Sequence, residues 1–216
     1  MSKKILSEEV YHELKNQIIT GKLTPGYPLN EVELSSKFEV SRTPIRDAIK
    51  RLELDGLVTI SPFKGARVVK LSLDDMLEIA RIRKCLEGLA ARLTSINASD
   101  YDIEKLKKMF PEQDEINFNS KDDLKKIYVA GDKLHKFIIV KSGSLRLIKI
   151  IENIYYQFQL IRINNATIPG RHEQAYCEHL EILKAICERD PNRAEKSLHK
   201  HIDSIIESFM RYHSII

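Results

Sequence analysis

The sequence predicts a mainly α-helical chain in two parts: three helices closed by a β-hairpin, followed by an all-α antiparallel helical bundle. Three observations predict this. Apolar residues recur at helical spacing through most of the 216 residues. A strand-like run appears once, between Gly56 and Val69. The turn-forming residues cluster between the periodic stretches instead of inside them.

Residues 7–20 open with Ser7, Glu8 and Glu9, and then place Val10, Leu14, Ile18 and Ile19 on one helical face. Gly21 stops this helix, and Pro25-Gly26 marks the turn after it. A short second helix over about 31–38 carries Leu34 and Phe38. The third is expected at about 43–55, with Ser41 or Thr43 as N-cap, Pro44 in the first turn and Gly56 as its end. Residues 57–60 then read as a strand, 61–65 as a turn and 66–69 as a returning strand. Three helices closed by a hairpin make a winged helix-turn-helix, assigned to residues 1–70. Beyond a linker at 70–74, helices are expected at about 73–96, 102–117, 122–142, 145–164, 172–189 and 191–213. Residues 71–216 are thus expected to form a second, all-helical domain.

Composition narrows the function only a little. The net charge of +4 is mild, and residues 1–70 hold 12 Lys+Arg against 9 Asp+Glu, so any case for nucleic acid rests on where the charges sit. Cys85, Cys177 and Cys187 are scattered and odd in number, which points to reduced thiols and not to a disulfide framework. No apolar stretch reaches the roughly 18–20 residues that span a bilayer, and the N-terminus turns acidic before any long apolar run. A cytoplasmic protein is expected.

The third helix carries the most informative pattern. Arg42, Arg46 and Lys50 recur every four residues in one row, while Ile45, Ile49 and Leu52 face the other way. A helix of this width fits the DNA major groove, where arginine pairs bidentately with guanine. Ser41 and Thr43 are short donors suited to phosphates or base edges. Taken alone, the basic row is equally an ordinary solvated face. The two helices before it and a wing bearing Lys64 favour DNA.

Pro25-Gly26 with Leu29 and Glu31, then Leu34, Val40-Ser41-Arg42-Thr43-Pro44-Ile45-Arg46 and Leu52-Glu53-Leu54-Asp55-Gly56-Leu57-Val58, resemble the GntR winged-helix signature over about sixty residues. The resemblance implies base or phosphate contacts from Arg42 and Arg46, help from the Ser41 and Thr43 hydroxyls, and a wing tip at Lys64-Gly65 that enters the minor groove. One departure stands out: some members carry a further DNA-contacting arginine in the second helix, where this chain has Val32.

His135, His179 and His201 fall on three different predicted helices, each flanked by apolar residues. Any one of them read singly is a hydrogen-bonded core or boundary histidine. Together with Asp132, they could offer three nitrogens and an oxygen to a divalent metal, zinc or nickel. Residues 73–213 also resemble the FCD ligand-binding domain found in one branch of GntR regulators. The resemblance lies in residues 82–87, His135 through Gly143, Glu178-His179 through Ile186, and Ala194 through His201. It implies a metal held by the three histidines and an aspartate. The family places that aspartate four residues before the first histidine, which here is Gly131, while Asp132 stands three before. Either Asp132 substitutes, or the site is three histidines plus water or the carboxylate of an effector. The resemblance further implies an organic-acid effector. Arg83 could anchor it or could merely pair with Glu87 at i+4. Asn153 and Arg162 are candidate cavity residues by helical phase.

The resulting expectation is a regulator and not an enzyme: a homodimer binding a pseudo-palindromic operator in double-stranded DNA under control of a small molecule. The main alternative is a metal-dependent hydrolase with an accessory DNA-binding domain, although no HExxH is present. A purely architectural DNA binder is a third reading.

Overall fold

The structure is a computed structural model describing residues 3–166, 168 and 170–213, with side chains omitted at 3–5, 113, 153, 162–166 and 213. By internal contacts the chain forms two compact units, residues 1–74 with 153–163, and residues 75–152 with 164–216.

The first unit holds α1 (Lys3–Ile19), β1 (Pro28–Leu29), α2 (Glu31–Lys37), α3 (Arg42–Leu54), β2 (Val58–Ser61) and β3 (Gly65–Val68). Its core is the face expected from periodicity: Val10, Leu14 and Ile18 of α1 pack with Ile45, Ile49 and Leu52 of α3. Asn30 caps α2 by accepting from the Val32 and Glu33 amides at 2.9 and 3.4 Å. Ser41 is the N-cap of α3, but its hydroxyl makes no capping bond. The hairpin of β2 and β3 is antiparallel, with Val58 opposite Val68 and Ser61 opposite Gly65. The sequence reading missed β1, which pairs Leu29 with Ala66 on the free edge of β3 and sets the sheet order β1-β3-β2. Two residues are too short for any periodicity to announce.

Residues 153–163 of helix α7 (Leu145–Ala166) also belong to this unit. Leu160 and Tyr156 pack on its core, and Lys15 Nζ donates to the Tyr156 hydroxyl at 2.9 Å.

The second unit contains α4 (Leu73–Asn97), α5 (Asp100–Lys107), α6 (Lys121–Lys141), both ends of α7, α8 (Arg171–Cys187) and α9 (Pro191–His213). The expected helix over 102–117 is a correction. It ends at Lys107, and only a 3₁₀ turn at Gln113–Glu115 follows. Pro111 cannot donate to a helix ladder and disfavours helical geometry in the residue before it. At the start of α5, Ser99 and Asp102 form a capping box, and Asp102 also pairs with Lys141 at 2.7 Å. No helix among the described residues is long and apolar enough to cross a membrane.

Candidate DNA interface and metal centre

Helix α3 turns its apolar row inward, so its basic row has to face out. Ile45 and Leu52 are fully buried, while Ser41, Arg42, Thr43, Arg46 and Lys50 are all exposed. Lys64 and Gly65 stand exposed at the turn of the hairpin, where Gly65 has a φ of 69°. A groove of about 580 Å³ lies between α3 and the wing, and Arg46, Lys50, Lys64 and Gly65 all line it. Glu31, at the start of α2, lines it too and accepts from Arg46 Nε at 2.7 Å. Sequence reasoning placed Glu31 within the signature but assigned it no role. This arrangement can present cations and hydroxyls to a polyanion, with one carboxylate holding the central arginine.

In the second unit, His135 on α6, His179 on α8 and His201 on α9 are brought together and buried, 2%, 6% and 3% exposed. One ligating atom from each lies within 4.8 Å of the others. The Nε2 atoms of His135 and His179 are 3.3 Å apart. Two nitrogens bound tetrahedrally to one zinc ion would stand about 3.3 Å apart, so the cluster fits such an ion.

Carboxylates stand behind two of the rings. His135 Nδ1 donates to Glu87 Oε2 at 2.7 Å, and His201 Nδ1 donates to Glu178 Oε2 at 2.7 Å. Each carboxylate is also gripped by an arginine: Arg83 Nε reaches Glu87 at 2.9 Å, and Arg171 Nη2 reaches Glu178 at 2.6 Å. Burial works to raise the Glu87 carboxyl, but the charges and hydrogen bonds of Arg83 and His135 overcome it and hold the group well below the usual carboxylate range. Burial raises Glu178, with Arg171 partly offsetting the effect. Burial, seconded by His135, Arg171 and Arg83, lowers His201 well below an ordinary histidine. A neutral imidazole is the form that ligates metal.

The structure therefore assembles the three predicted histidines but does not bring Asp132 among them. Asp132 instead lies 2.9 Å from Lys136 Nζ, one turn along α6. Arg83 is fully buried, makes the intrahelical pair with Glu87, and also sets Nη2 3.0 Å from His135 Nε2. The side chains of Asn153 and Arg162 lie outside those described. Sequence reasoning missed Glu87, Glu178 and Arg171 as members of the centre. The available signals were the i, i+4 spacing of Arg83 and Glu87 and the adjacency of Glu178 to His179.

Comparison with known proteins identifies the family and its two domains. The model for bacterial regulatory proteins of the gntR family matches residues 6–68, and that for the FCD domain matches residues 78–204. The chain is 30% identical over 195 residues to the uncharacterized HTH-type transcriptional regulator YdhC of Bacillus subtilis, spanning 90% of this chain and 87% of that protein. It is 27% identical over 203 residues to the HTH-type transcriptional repressor RspR of Escherichia coli, spanning 94% and 88%. Among solved structures, McbR/YncC of E. coli superposes with a TM-score of 0.72 at 22% identity, covering 99% of each chain, which shows a shared fold. The hydrolase alternative finds no support among these relatives. The chain belongs to the GntR family of bacterial transcriptional regulators, in the branch carrying an FCD domain, and is a DNA-binding regulator.

Proposed function

We propose that this regulator binds a pseudo-palindromic operator in cytoplasmic DNA as a homodimer, and that a small organic acid sets its operator affinity. Residues 1–70 are the reader, with Arg42, Arg46 and Lys50 in the major groove, Ser41 and Thr43 assisting, and Lys64-Gly65 at the minor groove. Residues 71–216 are the sensor and dimerisation domain, with 70–74 as the linker that carries the change. His135, His179 and His201 would hold a divalent ion, zinc or nickel. The ion would supply a Lewis-acidic anchor for an acid group. Arg83 adds a cationic wall beside it. An effector with different affinities for two arrangements of the domain shifts the balance between them, and operator affinity follows.

The observation that carries this reading is the buried three-histidine cluster, lying in the domain joined to the winged helix. Native mass spectrometry of the purified chain tests it. The expected result is a dimer carrying one divalent ion per protomer, with the ion absent from His179→Ala. A metal content unchanged in that variant would remove the centre from the reading.

A further inference from the structure

Between Ser61 of β2 and Gly65 of β3, which pair across the hairpin, residues 62–64 turn the chain. Pro62 fixes its own φ and removes an N–H, which stiffens the turn. Gly65 has a φ of 69°, and a Cβ there would meet nothing within 4 Å, so its left-handed backbone alone accounts for the glycine. The fold gives no such account of Phe63. It stands in the middle of the turn, fully exposed, and is the most open large apolar side chain among the described residues. At full exposure it adds nothing to the core of its own unit.

Single exposed apolar residues are common on protein surfaces, so exposure alone assigns no partner. The setting of Phe63 does. Residues 58–70 hold Lys64, Arg67 and Lys70 and no Asp or Glu. All three cations are exposed, and Arg67 Nη1 donates to the Gly26 carbonyl at 3.1 Å, which ties it to the turn before β1. A cationic hairpin free of acids, lifting one aromatic ring on a stiff turn, is complementary to a duplex. Its charges meet phosphates, and its ring leaves water by entering between bases. Apolar side chains inserted from the minor groove partly unstack a base step and kink the duplex by roughly 20–90°. The cost depends on the step, and pyrimidine–purine steps (TA and CA/TG) yield most easily. A lysine by itself favours the opposite, the narrow minor groove of a stiff A-tract.

We propose that Phe63 is a wedge: its ring enters the minor groove of the operator, unstacks one base step and bends the duplex towards the major groove. The chain thereby selects a flexible pyrimidine–purine step beneath the wing, at a position that no hydrogen bond reads. Lys64, Arg67 and Lys70 hold the wing against the phosphates on either side while the ring is seated. This rests on the reading that the wing meets the minor groove, and it adds a residue that sets specificity through the stiffness of the DNA.

The test uses the full chain and a duplex that the wild type selects from a random-sequence pool. Affinity is read by anisotropy, and the bend by energy transfer between dyes at the two ends of the duplex. The selected duplexes should share a pyrimidine–purine step at a fixed distance from the segment read by α3. Phe63→Ala should bind about fivefold or more weakly and bend the duplex far less, with an unchanged melting temperature. Phe63→Leu, still an apolar wedge, should keep most of the bend. Replacing the flexible step by an A-tract should cost the wild type about fivefold and should cost Phe63→Ala little. Wild-type affinity and bend in Phe63→Ala, with Arg46→Ala still weakened, overturns the wedge and leaves the reader in place. If Arg46→Ala, Lys64→Ala and Phe63→Ala all bind as the wild type does, the reading of this face falls and the wedge falls with it. A Phe63→Ala chain whose sedimentation changes while its bend does not would give the ring to a second copy of the chain, which also overturns the proposal.

Discussion

Arg46 sits in the exposed basic row of α3, yet its guanidinium is already held by Glu31 at 2.7 Å, with 60% and 35% of the two side chains exposed. A pair this open is worth at most about 1 kcal/mol, so a base edge or phosphate can take the arginine over. Arg46→Ala should therefore cost specific operator binding roughly 1–3 kcal/mol, about five- to 150-fold, and leave the melting temperature nearly unchanged. Fluorescence anisotropy with specific and scrambled duplexes reads this, and undiminished specific binding would show that α3 reads through other residues. At the same scale, Asp102 gives a dependence on pH. The bond from Lys141 and the capping bond with Ser99 draw its carboxyl down from 3.8 to about 2. A depressed folded-state value contributes stability that is complete above about pH 4 and is lost as pH falls towards 2. The stability gap between the wild type and Asp102→Asn, from urea unfolding, should be widest near neutrality and should shrink across that acid window. A constant gap would deny the charge its part. Individual residues were also where the sequence was least legible. The histidines announced themselves because three uncommon side chains fell on apolar faces. Glu87, Glu178 and Arg171 did not, because acids and arginines on helices are usually solvated, and only the fold shows Glu87 and Arg171 buried and Glu178 half-buried beside the histidines.

Elements were more legible, and the exceptions have physical causes. The face of α3 that packs and the face that stays exposed both follow from a 3.6-residue period, and the hairpin follows from the break at Gly56. The overlong reading of α5 came from letting periodicity outvote Pro111, and β1 was invisible because its pairing with β3 comes from distant chain. Gly56 was read only as a helix stop, and the fold asks more of it. Its φ is 69°, and a Cβ would meet Gln157 Nε2 on α7 at 2.3 Å. Gly56→Ala should lose about 1–2 kcal/mol from the left-handed backbone alone, plus the cost of displacing Gln157. In thermal unfolding, Gly56→Ala combined with Gln157→Ala should recover the second part and not the first. Full recovery would mean that the backbone carries no strain, and no recovery would mean that the side-chain approach costs nothing.

At the scale of the whole molecule, two-fold operator recognition needs two recognition helices held together, and so an apolar face able to join two chains. Helix α4 has one. Ile82, Leu89 and Ile96 recur every seven residues along it and remain 42%, 42% and 56% exposed. Residues spaced by seven keep to one side of a helix, the pattern of a seam between paired helices. The other face of the same helix carries Arg83 and Glu87, buried beside the three-histidine cluster. If the proposed dimer pairs along this face, one helix would serve both seam and sensor, and a shift at the histidine cluster would have a short route to the pairing of the two chains. Leu89→Glu places a charge in the middle of the stripe without touching the buried face. Sedimentation should show the variant shifted from dimer to monomer, with its helical content and zinc binding retained. Operator affinity should then fall at least tenfold, because the second half-site no longer benefits from being tethered to the first. Binding to an isolated half-site should hardly change, which separates lost pairing from damage to the reader. A Leu89→Glu chain that remains dimeric and binds the full operator as before would place the seam on another helix.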